Sequence, residues 1–240
     1  MNDNAPFSRS VLLLGADGMA ALQRLRVVLF GVGGVGSWCA EALVRSGLTH
    51  LTLVDDDLVA ASNINRQGMA TPATLGQPKV EAMRTKLLSI NPSADIVALQ
   101  QRFTSSTSGT FKLSSYDIVI DAIDSLADKA SLILCATAEA DGPLLLSSMG
   151  AALRLDSTQV RVSDFWEVHG CPLARALRHL FRQHGTCPVR PFRAVFSPEP
   201  PHPAIKGHPN GSIMPVTAAF GLALASEVLC RCAAARTLES

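Results

Sequence analysis

Arg26-Val-Val-Leu-Phe30, followed by Gly31-Val-Gly-Gly-Val-Gly36, is the stretch that decides the fold. The first five residues form an apolar run typical of a buried strand, and the glycines allow a tight turn whose backbone can approach a phosphate. Ser37–Ser46 has apolar residues at helical spacing, so its first N–H groups would face the same phosphate. The pattern therefore predicts a strand, a phosphate-binding loop and a helix. The candidate nucleotide-binding glycines are Gly31, Gly33, Gly34 and Gly36.

The second predicted strand ends in a carboxylate. Leu51-Thr-Leu-Val54 leads to Asp55, nineteen residues after Gly36, where doubly wound nucleotide folds bind the ribose hydroxyls. Dehydrogenases, methyltransferases and adenylating enzymes share this fingerprint. The first unit therefore predicts a nucleotide site and leaves the nucleotide, NAD or ATP, open.

Strand and helix patterns alternate up to Gly150, which predicts an α/β fold with a doubly wound, mainly parallel sheet. Before the first strand, a polar tail and a short helix should place Leu12–Leu14 and Met19–Leu22 against the sheet. Residues 55–78 form a predicted loop with no core residues. The further predicted helices and strands are Val80–Ile90, Asp95–Leu99, Tyr116–Ile120, Leu126–Ala140 and Pro143–Leu146.

Beyond Gly150 the pattern changes to a C-terminal extension. Gly185–Asn210 contains seven prolines and is predicted to be an irregular, lid-like connection. We treat residues 1–240 as one domain, with a nucleotide-binding core at 7–150 and a substrate-facing extension at 151–240. The elements predicted in this extension are the strands Thr158–Ser163 and Arg193–Phe196 and the helices Pro172–His184 and Pro215–Cys232.

Charge is unevenly distributed along the chain. The 240 residues are 48% hydrophobic and 17% charged with a net charge of +1, so overall charge does not indicate a nucleic-acid or membrane partner. The segment from Arg154 to Arg193, however, holds seven arginines against three acidic residues. Arg175, Arg178 and Arg182 recur there at helical spacing. They predict either a binding surface or an ordinary solvated helix face.

Location and cysteine use point to the cytoplasm. Met1–Pro6 lacks the basic flank and apolar segment of a secretory signal, and polar residues interrupt the apolar run Val216–Leu229, which predicts a buried helix. The six cysteines contain no C-x-x-C pair, so neither a zinc ribbon nor a disulfide framework is indicated. Cys39 and Cys135 are expected to be buried. Cys171 and Cys187 are the candidate reactive thiols.

Three further motifs favour ATP over NAD: Ser62-Asn-Ile-Asn-Arg-Gln67, Gly76-Gln-Pro-Lys79 and Asp121-Ala-Ile-Asp124. Transfer from a triphosphate needs fixed cations at the phosphates and a carboxylate for magnesium. Arg66 and Lys79 are the candidate cations, and Asp124 is the candidate magnesium ligand. A hydride-transfer site has no need for this set.

Together, these stretches resemble the adenylating enzymes of the ubiquitin-activating, ThiF and MoeB type. The resemblance implies a ThiF-type, Rossmann-like fold in which Asp55 binds ribose and Asp124 holds magnesium. It also implies that Arg66 and Lys79 hold the phosphates, and that these two residues and Asp124 are catalytic. The other candidate nucleotide contacts are Asp57, Asn63, Gln67, Asp121 and Ser125.

Within that family, the chain is similar to the tRNA threonylcarbamoyladenosine dehydratases. The similarity rests on Gly33–Trp38, Asp121–Ser125, Pro172–Ala174, Val195–Ser197 and Gly211–Gly221. It implies ATP-dependent cyclisation of threonylcarbamoyladenosine in tRNA through an adenylated carboxylate, by a cytoplasmic homodimer with no membrane contact. The implied cofactors are ATP and Mg²⁺, with a monovalent cation as a further candidate.

If tRNA is the substrate, the arginines of the basic segment from Arg154 to Arg193 make that segment the candidate surface for it. Some members carry an N-terminal arginine that acts in the partner subunit, and Arg9 is the nearest candidate here. One alternative function is adenylation of a small protein's C-terminus for sulfur transfer, with that protein as partner. A nucleotide-binding regulatory module is the other, and Arg66, Lys79 and Asp124 favour an enzyme over it.

Overall fold

Seven strands form one sheet in the computed structural model, which describes residues 6–234. The tail residues 1–5 and 235–240, which belong to the predicted single domain, lie outside the described part. The strands are β1 Arg26–Phe30, β2 His50–Val54, β3 Asp95–Leu99, β4 Ile118–Asp121, β5 Leu144–Ser148, β6 Arg161–Asp164 and β7 Arg193–Phe196. The helices are α1 Ser8–Arg24, α2 Gly36–Ser46, α3 Lys79–Ile90, α4 Leu126–Thr137, α5 Pro172–Gln183 and α6 Met214–Ala234.

The strand order is β3-β2-β1-β4-β5-β7-β6, and every neighbouring pair is parallel except β6 with β7. From β1 the chain goes to β2 on one side and later returns to β4 on the other. Such a switch point opens a crevice at the carboxyl ends of the two central strands, where doubly wound sheets bind their ligands. The predicted mainly parallel α/β fold is confirmed.

Each face of the sheet has its own core. Val27 and Leu29 of β1 belong to the cluster beneath α1, α2, α3 and α6, whereas Val28 and Phe30 belong to the cluster beneath α4 and α5. Alternate residues of a strand point to opposite faces, so an uninterrupted apolar run is buried on both. This explains why the central strands were readable from the sequence.

Helix α6 is part of the core, as predicted. Met214–Ala233 is long and apolar enough to cross a membrane, but half of it is buried in the fold. Val216, Phe220 and Leu224 are fully buried. A Cβ built on Gly221 would lie 2.4 Å from the Val35 carbonyl oxygen, so α6 meets the start of α2 at backbone distance.

Two predictions about local structure were wrong. Leu12 and Leu13 are 59% and 79% exposed, in the part of α1 that precedes the kink at Gly15, whereas Leu14 is buried as expected. The predicted strand 158–163 begins later, at Arg161. The Asp156 carboxylate accepts bonds from the N–H and the hydroxyl of Thr158, and this holds the preceding residues in a 3-10 turn.

The loop between β2 and α3 also differs from expectation, because it contributes to the core. Val59, Met69 and Ala70 are buried in the cluster beneath α2 and α3. Several backbone bonds close the loop on itself, among them Lys79 N–H to the Asp57 carbonyl at 3.0 Å. The polar residues that this loop carries therefore stand on a packed base.

Candidate functional site

The glycine loop lies at the switch point, in contact with the segment that follows β4. Gly31 has φ +88°, and a Cβ there would be 2.6 Å from the Ala122 carbonyl oxygen. A Cβ on Gly36 would be 1.9 Å from the Gly31 carbonyl oxygen, so neither position admits a side chain. Gly34 faces Arg66, whose Cγ would be 3.3 Å from an added Cβ. The loop thus meets both the aspartate motif and the arginine motif.

Asp55 connects the end of β2 to the glycine loop. Its Oδ2 accepts the Val32 N–H at 2.6 Å, and its Oδ1 accepts the Asp57 N–H at 2.9 Å. Burial raises the pKa of Asp55, and the nearby Lys79 ammonium opposes that shift. The carboxylate therefore fixes the loop in place while one edge remains 10% accessible.

Lys79, the first residue of α3, points back toward these carboxylates. Its Nζ lies 2.5 Å from Asp57 Oδ2 and 3.9 Å from Asp55 Oδ1, and its side chain is only 8% exposed. Asp57 itself is 65% exposed. Carboxylate oxygens of Asp55, Asp56 and Asp57 all lie within 4.8 Å of one another. Lys79 thus offsets part of the negative charge of this acidic group.

The arginine motif is stabilised by contacts within itself and with the C-terminal segment. Arg66 donates from one guanidinium nitrogen to the Ser62 carbonyl at 2.8 Å and to Asn65 Oδ1 at 2.9 Å. Asn65 Nδ2 donates to the Ser212 carbonyl at 2.8 Å. Asn63 is buried and its Oδ1 accepts the Ala60 N–H. Asn63 therefore shapes the turn, while Asn65 orients Arg66.

Side chains of helices α2 and α3 form hydrogen bonds with the backbone of the same motif and of Gly68, which follows it. The Trp38 indole N–H donates to the Arg66 carbonyl at 2.8 Å, and the Ser37 hydroxyl accepts the Gly68 N–H at 3.0 Å. Lys86 donates to the Gly68 carbonyl at 2.7 Å and pairs with Glu41 at 2.7 Å. The motif is thus part of a rigid frame, which preorganises Arg66.

Gln67 is the unsatisfied polar group of the site. Its side chain is buried, and its Oε1 has no hydrogen-bond partner among the described residues. Its Nε2 would be 3.9 Å from a Cβ added to Gly33. A buried amide oxygen without a partner is costly in an isolated protein, so its position beside the glycine loop fits contact with a ligand.

The two aspartates of the aspartate motif have different environments. Asp124 is exposed after the end of β4 and is followed by Ser125, whose hydroxyl caps α4 by accepting the Asp128 N–H. Asp121 is fully buried and bonds to Lys129 Nζ and Ser147 Oγ, each at 2.6 Å. The expected contact of Asp121 with nucleotide is therefore corrected to a supporting role beneath the site.

Lys129 is the residue beneath the candidate site that sequence reasoning missed. It is fully buried, and besides Asp121 it donates to the Ser148 carbonyl at 2.9 Å. Asp121 Oδ1 in turn accepts the Ile123 N–H at 3.1 Å, which fixes the turn that leads to Asp124. The available signal was a lysine in the same helix as the apolar run Leu132–Ala136, eight residues after Asp121.

The basic segment is less available than its composition predicted. Arg154 is buried and donates to the Glu199 and Gly170 carbonyls, and Arg190 donates to the Ala136 carbonyl at 2.8 Å. Four arginines are thus engaged: Arg154, Arg178 and Arg190 with backbone carbonyls and Arg193 with Glu227. Within the basic segment, the exposed arginines with no carboxylate partner in the described part of the chain are Arg161, Arg175 and Arg182.

The cysteines divide by exposure, as predicted for Cys39 and Cys187 but not for Cys135 and Cys171. Cys39 is fully buried, which raises its thiol pKa, and Cys171 is also buried. Cys135 is exposed although it was expected to be a buried apolar residue. Cys187 and Cys230 are exposed as well. Burial of Cys171 disfavours it as a nucleophile.

Taken together, the glycine loop, two cations and an exposed aspartate meet at the carboxyl ends of β1, β2 and β4. This arrangement can hold a polyphosphate, neutralise it and present a hard cation to it. The ThiF family matches residues 7–237. The chain belongs to the ThiF family.

Individual relatives indicate which enzymes of the ThiF family this chain is similar to. The tRNA threonylcarbamoyladenosine dehydratase of Bacillus subtilis (strain 168) is 40% identical over 195 residues, covering 81% of this chain and 75% of that one. The solved structure of Escherichia coli tRNA N6-threonylcarbamoyladenosine dehydratase, TcdA, in complex with ATP matches with a TM-score of 0.88 at 31% identity, covering 98% and 96%. The molybdopterin-synthase adenylyltransferase of Salmonella typhimurium is 35% identical over 185 residues, covering 75% and 71%.

Proposed function

We propose that this chain is an ATP-dependent tRNA threonylcarbamoyladenosine dehydratase. The observation that carries the proposal is the convergence of Arg66, Lys79 and Asp124 on one glycine loop, in a chain whose relatives bear that name over most of its length. The net reaction closes a ring in the modified nucleoside with loss of water. ATP becomes AMP and pyrophosphate, and AMP retains the oxygen lost from the carboxylate.

The chemistry divides into two transfers. The side-chain carboxylate of threonylcarbamoyladenosine attacks the α-phosphorus of ATP, and pyrophosphate leaves. A nucleophilic atom of the same threonylcarbamoyl group then attacks the activated carbonyl, loses its proton, and expels AMP. Adenylation replaces a poor leaving group, oxide or hydroxide, by AMP, so one difficult step becomes two easier ones.

The residues fit this sequence of events. The glycine loop and the first N–H groups of α2 cradle phosphate, and Asp55 faces the ribose hydroxyls from the end of β2. Arg66 is held in place by Asn65, so it can stabilise charge that develops on the phosphates without reorganising. Lys79 exchanges its contact with Asp57 for a phosphate oxygen. Gln67 Oε1 accepts a hydrogen bond from the bound nucleotide.

Asp124 fits a magnesium ligand, because it is an exposed carboxylate at the carboxyl end of β4 beside the glycine loop. Mg²⁺ prefers carboxylate oxygens shared with substrate phosphates, and when bound it supplies neutralising charge. The acidic group around Asp57 is a second place for a hard cation. A monovalent cation is proposed on family resemblance alone.

The proposal includes a cytoplasmic homodimer. Leu12 and Leu13 expose apolar side chains on the first half of α1, which is a natural place for contact with a second copy. Arg9, on the same half-helix, is exposed and would be presented to the partner subunit. Dimerisation and the action of Arg9 in the partner can be tested together by size-exclusion chromatography and activity of Arg9→Ala.

The second candidate function is adenylation of a small protein's C-terminus, favoured by the similarity to the molybdopterin-synthase enzyme. Both activities use the same ATP site and differ in the carboxylate that is activated. Isotope exchange between ATP and pyrophosphate separates them, because exchange needs the carboxylate. We expect exchange with tRNA that contains threonylcarbamoyladenosine and none with the same tRNA lacking it. Exchange that requires a sulfur-carrier protein would favour the alternative.

A further inference from the structure

Helix α5 presents a row of basic side chains that the ATP site does not use. Arg175, His179 and Arg182 are all exposed, and together we call them the α5 row. With Pro172, Ala176 and Arg178 they line a surface cleft of about 400 Å³. No acidic residue lines that cleft, and no carboxylate among the described residues pairs with Arg175 or Arg182. The row is therefore a concentration of uncompensated positive charge.

The row stands on a fixed base. Arg178 donates to the Phe165 carbonyl at 3.2 Å and to the Val168 carbonyl at 2.8 Å, and its guanidinium lies over the Phe165 ring at 5.7 Å. Leu177 and Phe181 are buried on the opposite side of α5. The middle arginine of the predicted stripe is thus structural. It orders the helix face and leaves its neighbours free for a ligand.

An aromatic side chain accompanies the row. Trp166 lies in the turn that Arg178 holds, and it is 40% exposed. An exposed indole is a common platform on which a nucleobase stacks in a single-stranded loop. Asp164 and Glu167 are the acidic neighbours in that turn, and Asp164 Oδ1 accepts the Trp166 N–H at 2.9 Å. The combination of guanidinium groups with an indole favours RNA over an acidic protein.

The first turn of α5 lies close to the ATP site, and the helix runs outward from there. The side chain of Leu173, in the first turn, would be 3.6 Å from a Cβ on Gly150, which follows β5 closely. The end of β5 is bonded to Lys129 beneath the aspartate motif. Arg175 therefore lies near the carboxyl ends of the strands. Arg182 follows about 10 Å further along the axis, at about 1.5 Å per residue.

We propose that the α5 row is the track for the phosphates of the tRNA loop that carries the substrate nucleoside, with Trp166 as a stacking contact. The inference rests on the proposed function. When one nucleoside of the tRNA loop occupies the site, the phosphates next to it can lie along α5 from Arg175 to Arg182. Such contacts supply affinity that depends on salt and little base specificity.

The test compares two double variants that change charge equally. Arg175→Glu with Arg182→Glu removes the row, whereas Arg24→Glu with Arg231→Glu alters exposed arginines, the first of them at the opposite, amino end of the sheet. Affinity for modified tRNA is measured by filter binding across a salt series, and Mg-ATP affinity by calorimetry. We expect the row variant to lose about tenfold or more in tRNA affinity. Its slope of log affinity against log salt should become shallower by about 1.4, at about 0.7 per contact.

Further readouts separate the possible outcomes. Mg-ATP affinity and kcat at saturating tRNA should stay near wild type in the row variant, with the loss appearing in KM for tRNA. Trp166→Ala should weaken tRNA binding with an unchanged salt slope. If the glutamate variant fails to fold, Arg175→Gln with Arg182→Gln replaces it. Equal losses in both double variants, or no loss in either, would overturn the proposal. Wild-type protein that leaves modified tRNA unchanged would instead refute the proposed function.

Discussion

Replacing Lys129 by methionine should destabilise the protein severely, although the two side chains have similar length. Lys129 and Asp121 are both fully buried, and their Nζ and Oδ2 lie 2.6 Å apart. Methionine leaves the Asp121 carboxylate without its counter-charge and the Ser148 carbonyl without its donor. Breaking one side of a buried pair costs about 3–5 kcal/mol. The melting temperature should then fall by roughly 10 °C, at about 2–4 °C per kcal/mol for a chain of this size.

A double variant distinguishes the effect of an unbalanced buried charge from the effect of the lost contacts. Asp121→Asn combined with Lys129→Met removes both charges, while the asparagine Oδ1 can still accept the Ile123 N–H. Neutral replacements of buried pairs are often tolerated, so the double variant should recover at least about 2 kcal/mol of the loss. Urea unfolding followed by circular dichroism measures the free energy of unfolding of the wild type, of Lys129→Met and of the double variant.

Lys206→Met is the matched control, because Lys206 is exposed in the loop before α6. Its effect should stay within about 0.5 kcal/mol. A Lys129→Met variant as stable as this control would refute the reasoning, since a buried carboxylate would then need no cation. Failure of the double variant to recover any stability would show that the individual contacts matter more than the balance of charge.

Three other predictions follow from the site and its surroundings. Asp124→Ala should keep a near-normal melting curve, because Asp124 is exposed, and should abolish ATP–pyrophosphate exchange in the presence of modified tRNA. The hydrogen bond from the Leu155 N–H lowers the pKa of Glu199 below its ordinary 4.5. Glu199 therefore stabilises the fold above pH 4.5, and this contribution is lost as the pH falls through the lowered pKa. In Glu199→Gln, the free energy of unfolding should decrease less steeply with falling pH in the acid range. Thiol titration of the native protein should leave Cys39 unmodified, because burial raises its pKa. The thiols expected to react are Cys135, Cys187 and Cys230.

The features readable from the sequence are those fixed by local pattern. The apolar residues Val27–Phe30 are buried on both faces of the sheet, and Gly31 needs a positive φ, so residue types alone indicated both. The family motifs then placed Arg66 and Lys79 near the same loop. The structure brings them there through the packed segment between β2 and α3.

The features that the sequence concealed depend on contacts between distant residues. Nothing local distinguishes Arg154 or Arg178 from a surface arginine, yet both bond to carbonyls that the fold brings beside them. Lys129 is buried only because Asp121 and the end of β5 supply its partners. Leu12 is exposed although Leu14, two residues later in the same apolar run, is buried. Charge and hydropathy predict the average environment of a residue type, and such partners override it.

The most direct test of the proposed function is the mass of the modified nucleoside after reaction. tRNA containing threonylcarbamoyladenosine is incubated with the protein, ATP and magnesium, digested to nucleosides and analysed by mass spectrometry, with AMP quantified in parallel. The account predicts a nucleoside lighter by one water molecule, one AMP for each nucleoside converted, and no conversion by Asp124→Ala. A nucleoside of unchanged mass, or conversion that forms ADP in place of AMP, would contradict it.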